Sequence, residues 1–169
     1  MQLIDAFEVV GTPLGTGVRA TRDIPAQTRI LRFTGTWVAA PDRHSLQVAR
    51  DRHLRADGQE WAYLNHSCAP NCRIEFSDWT LVADRQIRAG EDLTFDYLTT
   101  EWDMAEPFQC RCGAAGCRGR VGGLKHLPPA EQASLRRRCS PYLAGLLSSD
   151  ASAGPPPDEP CPPGAFACT

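Results

Sequence analysis

The chain has 169 residues, which is enough for one domain of ordinary size and a tail. It is 42% hydrophobic with a formal net charge of -2, which excludes a protein that coats nucleic acid or binds membranes through overall charge. No apolar run is long enough to span a bilayer, and Asp5 and Glu8 stand where a signal peptide needs basic and then apolar residues. We therefore expect a soluble intracellular protein with no membrane partner.

The basic and cysteine residues narrow the compartment and suggest a metal. Lys125 is the only lysine, and alanine, glycine and proline are abundant, which favours a GC-rich bacterial genome and a cytoplasmic location. A eukaryotic source would allow a nuclear location. There are eight cysteines, and without a signal peptide a cysteine cluster favours a metal site over disulfides.

The first forty residues predict short strands separated by turns. Residues 7–10 predict a strand, and residues 29–33 alternate as a second strand that continues past Gly35. The Gly15-x-Gly17 pattern marks a backbone that needs positive φ or a close approach to a neighbour, with a plain hairpin turn as the alternative.

The region of residues 41–60 is polar and charged. Residues 42–55 predict one short helix, and His44 and His53 are expected in solvent.

A polar octapeptide, Asn-His-Ser-Cys-Ala-Pro-Asn-Cys at residues 65–72, lies between two apolar segments. Residues 61–64 predict a short buried strand, and residues 73–76 alternate as a half-buried strand. Pro70 forbids a helix, so the octapeptide predicts a tight loop rather than a helix or a strand. Its polar groups must find partners in the protein or in a ligand.

Two further turn-and-strand segments, residues 78–83 and 87–97, complete a mostly-β pattern of short strands at close spacing. Beyond them, residues 128–139 predict a helix with proline in its first turn, and residues 141–147 are expected to pack back on the domain. Residues 148–169 are rich in proline and small residues and predict a disordered tail.

Five blocks, in this order, resemble the SET-domain protein lysine methyltransferases, and the resemblance covers residues 7–124. The fifth block resembles the post-SET zinc motif of that family. The blocks are Gly15-x-Gly17 with Ala20 and Ile24-Pro25, Phe33-x-Gly35, residues 65–72, residues 89–97, and the cysteine-rich residues 110–119.

The resemblance implies a fold of small curved sheets with a C-terminal pseudoknot, short helices and a post-SET zinc site. The knot would bring Asn65 and His66 beside Phe95, Asp96 and Tyr97. The predicted organisation is a SET domain at 1–105, a post-SET zinc-binding segment at 106–124, a helical segment at 125–147 and the tail at 148–169.

The resemblance also implies S-adenosylmethionine as the cofactor, on one side of a narrow channel that receives the acceptor lysine from the other side. Without the resemblance, Asn65 would be interpreted as a self-capping turn residue and His66 as a core histidine. The implied cofactor-binding residues are Gly15, Thr16, Gly17, Asn65, His66 and Tyr97.

Tyr97 is the implied catalytic residue, because its hydroxyl would orient the acceptor amine. The alternative is a buried strand tyrosine with a bonded hydroxyl. Tyr63 and Phe95 are expected as walls of the substrate channel, or else as core residues.

The resemblance supplies four ligands for one structural zinc ion, which binds thiolates in a tetrahedron. A redox-active Cys-x-Cys pair is the alternative, and Cys72 is then a surplus cysteine. The implied ligands are Cys68, Cys110, Cys112 and Cys117.

Two departures from the family pattern stand out. Ala62 occupies a position where many members have an arginine, and the insert of residues 41–60 is short. The predicted function is methyl transfer from S-adenosylmethionine to a lysine side chain of a protein, with no direct nucleic-acid contact. The alternatives are a non-catalytic module that binds a partner and an enzyme that uses this cofactor on a small amine.

Overall fold

The computed structural model describes residues 4–13 and 15–148. Short strands dominate this part of the chain, and they are β1 (Phe7–Thr12), β2 (Gly15–Ala20), β3 (Arg29–Arg32), β4 (Thr36–Val38), β5 (Ser45–Ala49), β6 (Arg52–Arg55), β7 (Asn65–His66), β8 (Cys72–Glu75), β9 (Thr80–Ala83), β10 (Thr94–Phe95), β11 (Phe108–Gln109) and β12 (Arg120–Val121). The helices are α1 (Pro129–Leu135) and α2 (Pro141–Leu146), with 3₁₀ turns at Glu60–Tyr63, Tyr97–Thr99, Leu124–His126 and Arg136–Arg138.

The strands form small sheets rather than one large one. Two sheets have three strands, in the orders β3-β9-β8 and β4-β6-β5, and the hairpins β1-β2 and β11-β12 are antiparallel pairs. The pair of β7 and β10 is parallel, and it joins segments that are far apart in sequence. The predicted mostly-β class of small sheets is therefore confirmed.

The predicted helix over residues 42–55 is wrong, because this segment forms the β5-β6 hairpin. Leu46 and Val48 are buried on β5 and Leu54 is buried on β6, so the apolar residues follow the two-residue period of a strand. The expectation that His53 lies in solvent is also wrong, since it is 4% exposed beneath this hairpin. The sequence did not indicate this hairpin because its few apolar residues stand among polar and charged ones.

The predicted buried strand at residues 61–64 is also wrong, because Glu60–Tyr63 is a 3₁₀ turn. Trp61 is buried as expected, and its indole N–H donates to the carbonyl of Thr34 at 2.9 Å. Four apolar residues are too few for periodicity to separate a strand from a helical turn.

Gly35 lies at a close backbone approach. A Cβ atom built at Gly35 would come within 1.8 Å of the carbonyl oxygen of Arg55, so no other residue fits without moving the end of β6. The Phe33-x-Gly35 block therefore packs the three-stranded β4-β6-β5 sheet against Phe33, which is fully buried.

Two apolar clusters support the fold. The larger cluster lies beneath the sheets and contains Phe33, Trp61 and Phe95. The second cluster contains Leu98, Leu124 and the two residues that the last helix buries, Tyr142 and Leu143. The C-terminal segment therefore has an apolar core of its own. This core begins with Leu98, the residue that follows the predicted catalytic residue, Tyr97.

The C-terminal helices pack back on the domain as predicted. Ser140 caps α2, since its side chain accepts from the N–H of Leu143, and its own N–H donates to the carbonyl of Thr99 at 2.7 Å. The predicted disordered tail lies, from residue 149 on, outside the described residues. Among the described helices, none is both long enough and apolar enough to cross a membrane.

Candidate active site

The parallel pair of β7 and β10 brings the two most specific motifs together. Thr94 is the partner of Asn65, and Phe95 is the partner of His66. Residues 65–66 thus form a short strand and Cys72 begins β8, so the prediction of a loop holds only for residues 67–71 of the octapeptide. The contact predicted for the pseudoknot is confirmed by this register.

Asn71 fixes this junction, and its role was not predicted. Its side-chain N–H donates to the carbonyl of Asp92 at 2.9 Å, and its side-chain oxygen accepts from the N–H of Thr94 at 2.9 Å. The residue is 4% exposed. A polar residue that satisfies two backbone groups in this way holds β10 against the loop that follows β7.

The imidazole of His66 is fully enclosed. Its Nδ1 accepts from the backbone N–H of Tyr97 at 3.2 Å, and its Nε2 lies 3.3 Å from Sγ of Cys68. Burial lowers the pKa of His66 to about 4, so the ring is neutral and its proton sits on Nε2, facing the sulfur. Both ring nitrogens of His66 therefore have neighbours within the protein, and its predicted contact with a cofactor stays a prediction.

Asp96 carries a buried negative charge beside this histidine. The residue is 5% exposed, and its carboxylate lies 3.0 Å from the guanidinium of Arg118. It also accepts from the N–H of Leu98 at 3.1 Å and so begins the 3₁₀ turn Tyr97–Thr99. Arg118 therefore neutralises Asp96 and ties the cysteine-rich segment to the motif that contains Tyr97.

Tyr97 lies at the centre of the junction. Its hydroxyl donates to the carbonyl of Leu64 at 2.6 Å, and its ring packs against Phe95 at 5.0 Å and Phe108 at 6.0 Å between centroids. Burial raises the pKa of the Tyr97 hydroxyl above its ordinary value, so it stays a neutral phenol. The oxygen can still accept a hydrogen bond from a ligand.

The glycine-rich segment at the start of β2 contacts the same junction. The side-chain N–H of Asn65 donates to the carbonyl of Thr16 at 3.1 Å. A Cβ built at Gly17 would lie 2.9 Å from that Asn65 nitrogen and 2.7 Å from Thr12. A side chain at residue 17 would therefore displace those of Thr12 and Asn65, and Gly15 begins the strand at φ +110.

A cavity of about 710 Å³ runs along these residues. Thr16, Asn65 and His66 line it, and so do Tyr97 and both predicted channel residues, Tyr63 and Phe95. It continues past Ala62 between the segment that precedes β5 and the segment around β11. The structure thus brings the predicted channel residues together with three of the predicted cofactor-binding residues and Tyr97, whereas Gly15 and Gly17 are not among the lining residues.

The four predicted zinc ligands lie together, and two of them, Cys110 and Cys112, line this cavity. Their sulfur atoms all lie within 4.8 Å of one another, and those of Cys68 and Cys110 are 3.9 Å apart. Four sulfurs bound to zinc at their usual distance are about 3.8 Å apart, so this donor set fits a tetrahedral ion. The backbone N–H of Arg118 donates to Sγ of Cys68 at 3.4 Å, which connects this sulfur to the segment that contains the other three cysteines.

Cys72 is separate from this cluster. It is fully buried, burial raises the pKa of its thiol to about 12, and its Sγ donates to the side-chain oxygen of Asn71. It is therefore an inert core thiol, in agreement with its prediction as the surplus cysteine.

Glu101 is a further residue of the cavity wall that was not predicted. It is 9% exposed, and its carboxylate accepts from the N–H of Gln47 at 3.0 Å. The side chain of Gln47 in turn accepts from the N–H of Trp102 at 2.9 Å. Burial raises the pKa of Glu101 to about 7. In the sequence it is one of three acidic residues near Trp102, and nothing there predicts its burial.

Comparison with known proteins agrees with this geometry. The sequence model of the SET domain matches residues 15–98. The chain is 31% identical over 142 residues to Methyltransferase flvH of Aspergillus flavus, covering 81% of this chain and 77% of that protein. It is 34% identical over 143 residues to Histone-lysine N-methyltransferase ash1 of Drosophila melanogaster, covering 69% of this chain and 6% of that protein.

The fold has a solved counterpart. The crystal structure of KRYPTONITE in complex with mCHG DNA and SAH superposes with a TM-score of 0.60 at 25% identity, covering 71% of this chain and 30% of that one. The parallel β7-β10 pair, with an Asn-His motif on one strand and Phe-Asp-Tyr on and after the other, therefore has the architecture of a SET domain. The chain belongs to the SET-domain family. It spans only a small part of the histone-lysine methyltransferases that it resembles.

Proposed function

We propose that this protein is an S-adenosylmethionine-dependent methyltransferase whose acceptor is the side-chain amine of a lysine in a protein. The single observation that carries the proposal is the position of Tyr97. It lines one cavity together with Thr16, Asn65, Tyr63 and Phe95, and its hydroxyl donates to the carbonyl of Leu64, the residue before Asn65. Relatives named histone-lysine N-methyltransferases and a structural neighbour solved with SAH support it.

The residues on the cavity wall fit the cofactor. S-adenosylmethionine, when bound, supplies a methyl group on a positively charged sulfur. Asn65, Thr16 and the backbone of His66 would hold it, because they present amide and carbonyl groups on the cavity wall. Gly17 keeps that wall open to the approach of Asn65.

The acceptor amine must be neutral to attack, although a lysine in water has a pKa of about 10.4. Aromatic side chains around Tyr97 exclude water and so disfavour the ammonium form. The Tyr97 hydroxyl donates to Leu64 and accepts a hydrogen bond from the amine, which fixes the direction of the nitrogen lone pair. Alignment, rather than strong base catalysis, is therefore the main contribution of Tyr97.

The four-cysteine cluster is proposed to hold one structural zinc ion. Cys68 follows His66 on the motif, whereas the other three ligands lie in residues 110–117. Zinc bound there would fasten the segment around β11 over the cavity and stabilise the second apolar cluster. The post-SET boundaries at 106–124 rest on the same cluster.

The substrate class is decided by an assay of methyl transfer. Purified, zinc-loaded protein is incubated with methyl-labelled S-adenosylmethionine and, separately, core histones, a lysine-containing peptide library, and n-butylamine. The proposal predicts label on a histone or a peptide. Label on n-butylamine alone would favour the alternative, an enzyme that methylates small amines. No label on any acceptor would contradict the proposed activity.

Two variants make the assay specific for the cavity. Tyr97→Phe removes the hydroxyl and is expected to lower the rate about 100-fold, since an orienting contact is lost while the ring remains. Tyr142→Phe makes the same chemical change at a buried tyrosine of α2, in the second apolar cluster, and is expected to keep the wild-type rate.

The partner and the location stay proposals as well. A protein that presents a lysine is the proposed partner. KRYPTONITE was solved with DNA, which concerns that protein, and the prediction of no direct nucleic-acid contact is left to binding experiments. We also propose a cytoplasmic location in a bacterium, as the composition predicts.

A further inference from the structure

Glu101 is a buried carboxylate without a cation. The ion pairs among the described residues do not include it, although twelve others are formed. Its carboxylate accepts from the N–H of Gln47, whereas the neighbouring Thr100 hydroxyl donates to the carbonyl of Tyr97. Burying a carboxylate with no positive partner costs several kcal/mol. Such a cost is typical of a group that receives its partner from a ligand.

The position of Glu101 indicates which ligand. It lines the same cavity as Tyr97, four residues away along the chain, and its N–H donates to the carbonyl of Tyr97 at 2.9 Å. Burial raises the pKa of the Tyr97 hydroxyl, the charge of Arg43 lowers it and the charge of Glu101 raises it, so both charged side chains act on that oxygen. A cation that arrives at Tyr97 therefore meets the field of Glu101.

Other charged groups on the cavity wall do not compensate this carboxylate. Those groups are exposed on the segment before β5 and on the segment around β11. His53 is the strand partner of Gln47, and burial lowers its pKa. Burial, Gln47 and Thr100 are the influences that act on the pKa of Glu101, and no cation is among them. The charged residues on the wall are Asp42, Arg43, His44, Glu106 and Arg111.

We infer that Glu101 is a catalytic residue that pairs with the incoming substrate ammonium and accepts its proton. The inference rests on the proposed methyl transfer and names a residue that the transfer needs. The family resemblance assigns no role to this position, and the structure alone supplies the argument.

The step balances in protons and electrons. The ammonium gives one proton to the Glu101 carboxylate, and the neutral amine uses its lone pair to form the new N–C bond while the methyl–sulfur bond breaks and leaves its electron pair on sulfur. The product leaves as a methylated ammonium ion. Glu101 then loses its proton to water through the open cavity.

The acidity of the two partners allows this transfer. Burial raises the pKa of Glu101 to about 7, which makes it a better proton acceptor than an ordinary carboxylate. Enclosure of the amine beside a positive sulfur lowers the pKa of the ammonium toward that value.

The matched test is Glu101→Gln, which keeps the shape of the side chain and the acceptor for the Gln47 N–H. At neutral pH the variant is expected to be about 100-fold slower, and its rate should recover as the pH approaches the pKa of the free amine. A merely structural loss would persist at every pH, and that outcome would overturn the inference. Glu75→Gln, on β8 away from the cavity, is the control and should follow the wild-type profile.

A second readout does not depend on activity. Calorimetry of n-butylamine, which carries the aminobutyl group of lysine, is run above neutral pH with wild type and Glu101→Gln, and n-butanol is the neutral comparison. The inference predicts about tenfold weaker n-butylamine binding to the variant and equal n-butanol binding. Equal n-butylamine binding, or none to the wild type, would overturn it. Absence of methyl transfer to all acceptors would instead count against the proposed function.

Discussion

Gly17 shows how one residue controls the site. Its hydrogen occupies the space between Thr12 and Asn65, where a methyl group would meet the Asn65 nitrogen at 2.9 Å and Thr12 Cγ2 at 2.7 Å. The residue thereby permits the hydrogen bond from Asn65 to the carbonyl of Thr16. The glycine pattern noted in the sequence thus has a steric cause, in addition to its place in a hairpin.

Gly17→Ala is therefore expected to weaken S-adenosylmethionine binding about tenfold and to destabilise the fold by about 1–3 kcal/mol through the forced shift. Gly11→Ala is the matched control, because the same hairpin leaves open space around Gly11. Calorimetric titration and urea unfolding measure both effects. Equal behaviour of the two variants would contradict the steric explanation.

Glu101 makes stability depend on pH. Its pKa is about 7 in the folded protein and 4.5 in its ordinary state, so below pH 4.5 the group is protonated in both states and costs nothing. As the pH rises from there through about 7, the unfolded chain ionises first, and the folded state loses stability relative to it. Above that window the loss is complete.

We therefore expect Glu101→Gln to gain stability over the wild type as the pH is raised, by about 3 kcal/mol between about pH 5 and pH 8. Urea unfolding of both proteins at the two pH values measures this difference. The contribution of zinc binding to the free energy of unfolding cancels, because both proteins have the same cysteine cluster. A difference that stays constant with pH would contradict the assigned ionisation. Sequence alone hides this residue, since Glu101 resembles its solvated acidic neighbours until the fold buries it.

Asp96 and Arg118 connect two elements, the 3₁₀ turn after β10 and the cysteine-rich segment. The Asp96 carboxylate is 5% exposed, so its charge depends on the guanidinium 3.0 Å away. Removal of Arg118 leaves that charge buried and unpaired, which is more costly than the loss of a surface ion pair.

Arg118→Met is expected to lower the free energy of unfolding by about 3 kcal/mol. Arg85→Met breaks the pair of Arg85 with Glu91, in which the arginine side chain is 54% exposed, and should cost less than about 1 kcal/mol. Urea unfolding compares the two variants. Similar losses would mean that Asp96 is less dependent on Arg118 than its burial indicates.

At the scale of secondary-structure elements, the sequence predicted strands whose apolar and polar residues alternate. It missed elements that are short or whose apolar residues stand among charged ones. The alternation at residues 73–76 predicted β8, in which buried and half-buried residues alternate. The alternation at residues 29–33 predicted β3, although Ile30 and Leu31 are both buried there beside a shift in the strand register. The hairpin of residues 45–55 was missed because Leu46, Val48 and Leu54 are separated by charged residues that resemble a polar helix. Residues 61–64 were missed because four apolar residues have no period.

The fold of the whole molecule depends on a contact between distant segments. The parallel pairing of Asn65 with Thr94 cannot be derived from periodicity, because each strand is two residues long. Only the family resemblance predicted it. The cysteine cluster was likewise predicted by resemblance, and its geometry follows from the same pairing, since Cys68 lies just after β7 and the other ligands lie beyond β10.

Loss of the proposed zinc ion should therefore affect the whole C-terminal half. Cys117→Ala is expected to reduce zinc from about one ion per chain to a small fraction and to destabilise the second apolar cluster. Cys72→Ala removes a buried thiol outside the four-cysteine cluster, and this variant should bind as much zinc as the wild type. Metal analysis measures the zinc content of both variants, and thermal unfolding measures their stability. Full zinc content in Cys117→Ala would contradict the ligand assignment.

The central claim is that the cavity beside Tyr97 binds S-adenosylmethionine. Calorimetric titration of S-adenosylmethionine into zinc-loaded wild type and Tyr97→Phe tests it most directly. The account predicts saturable binding to both proteins at one site per chain, since the hydroxyl serves the acceptor amine more than the cofactor. A folded, zinc-loaded wild-type protein that shows no binding would contradict the methyltransferase assignment.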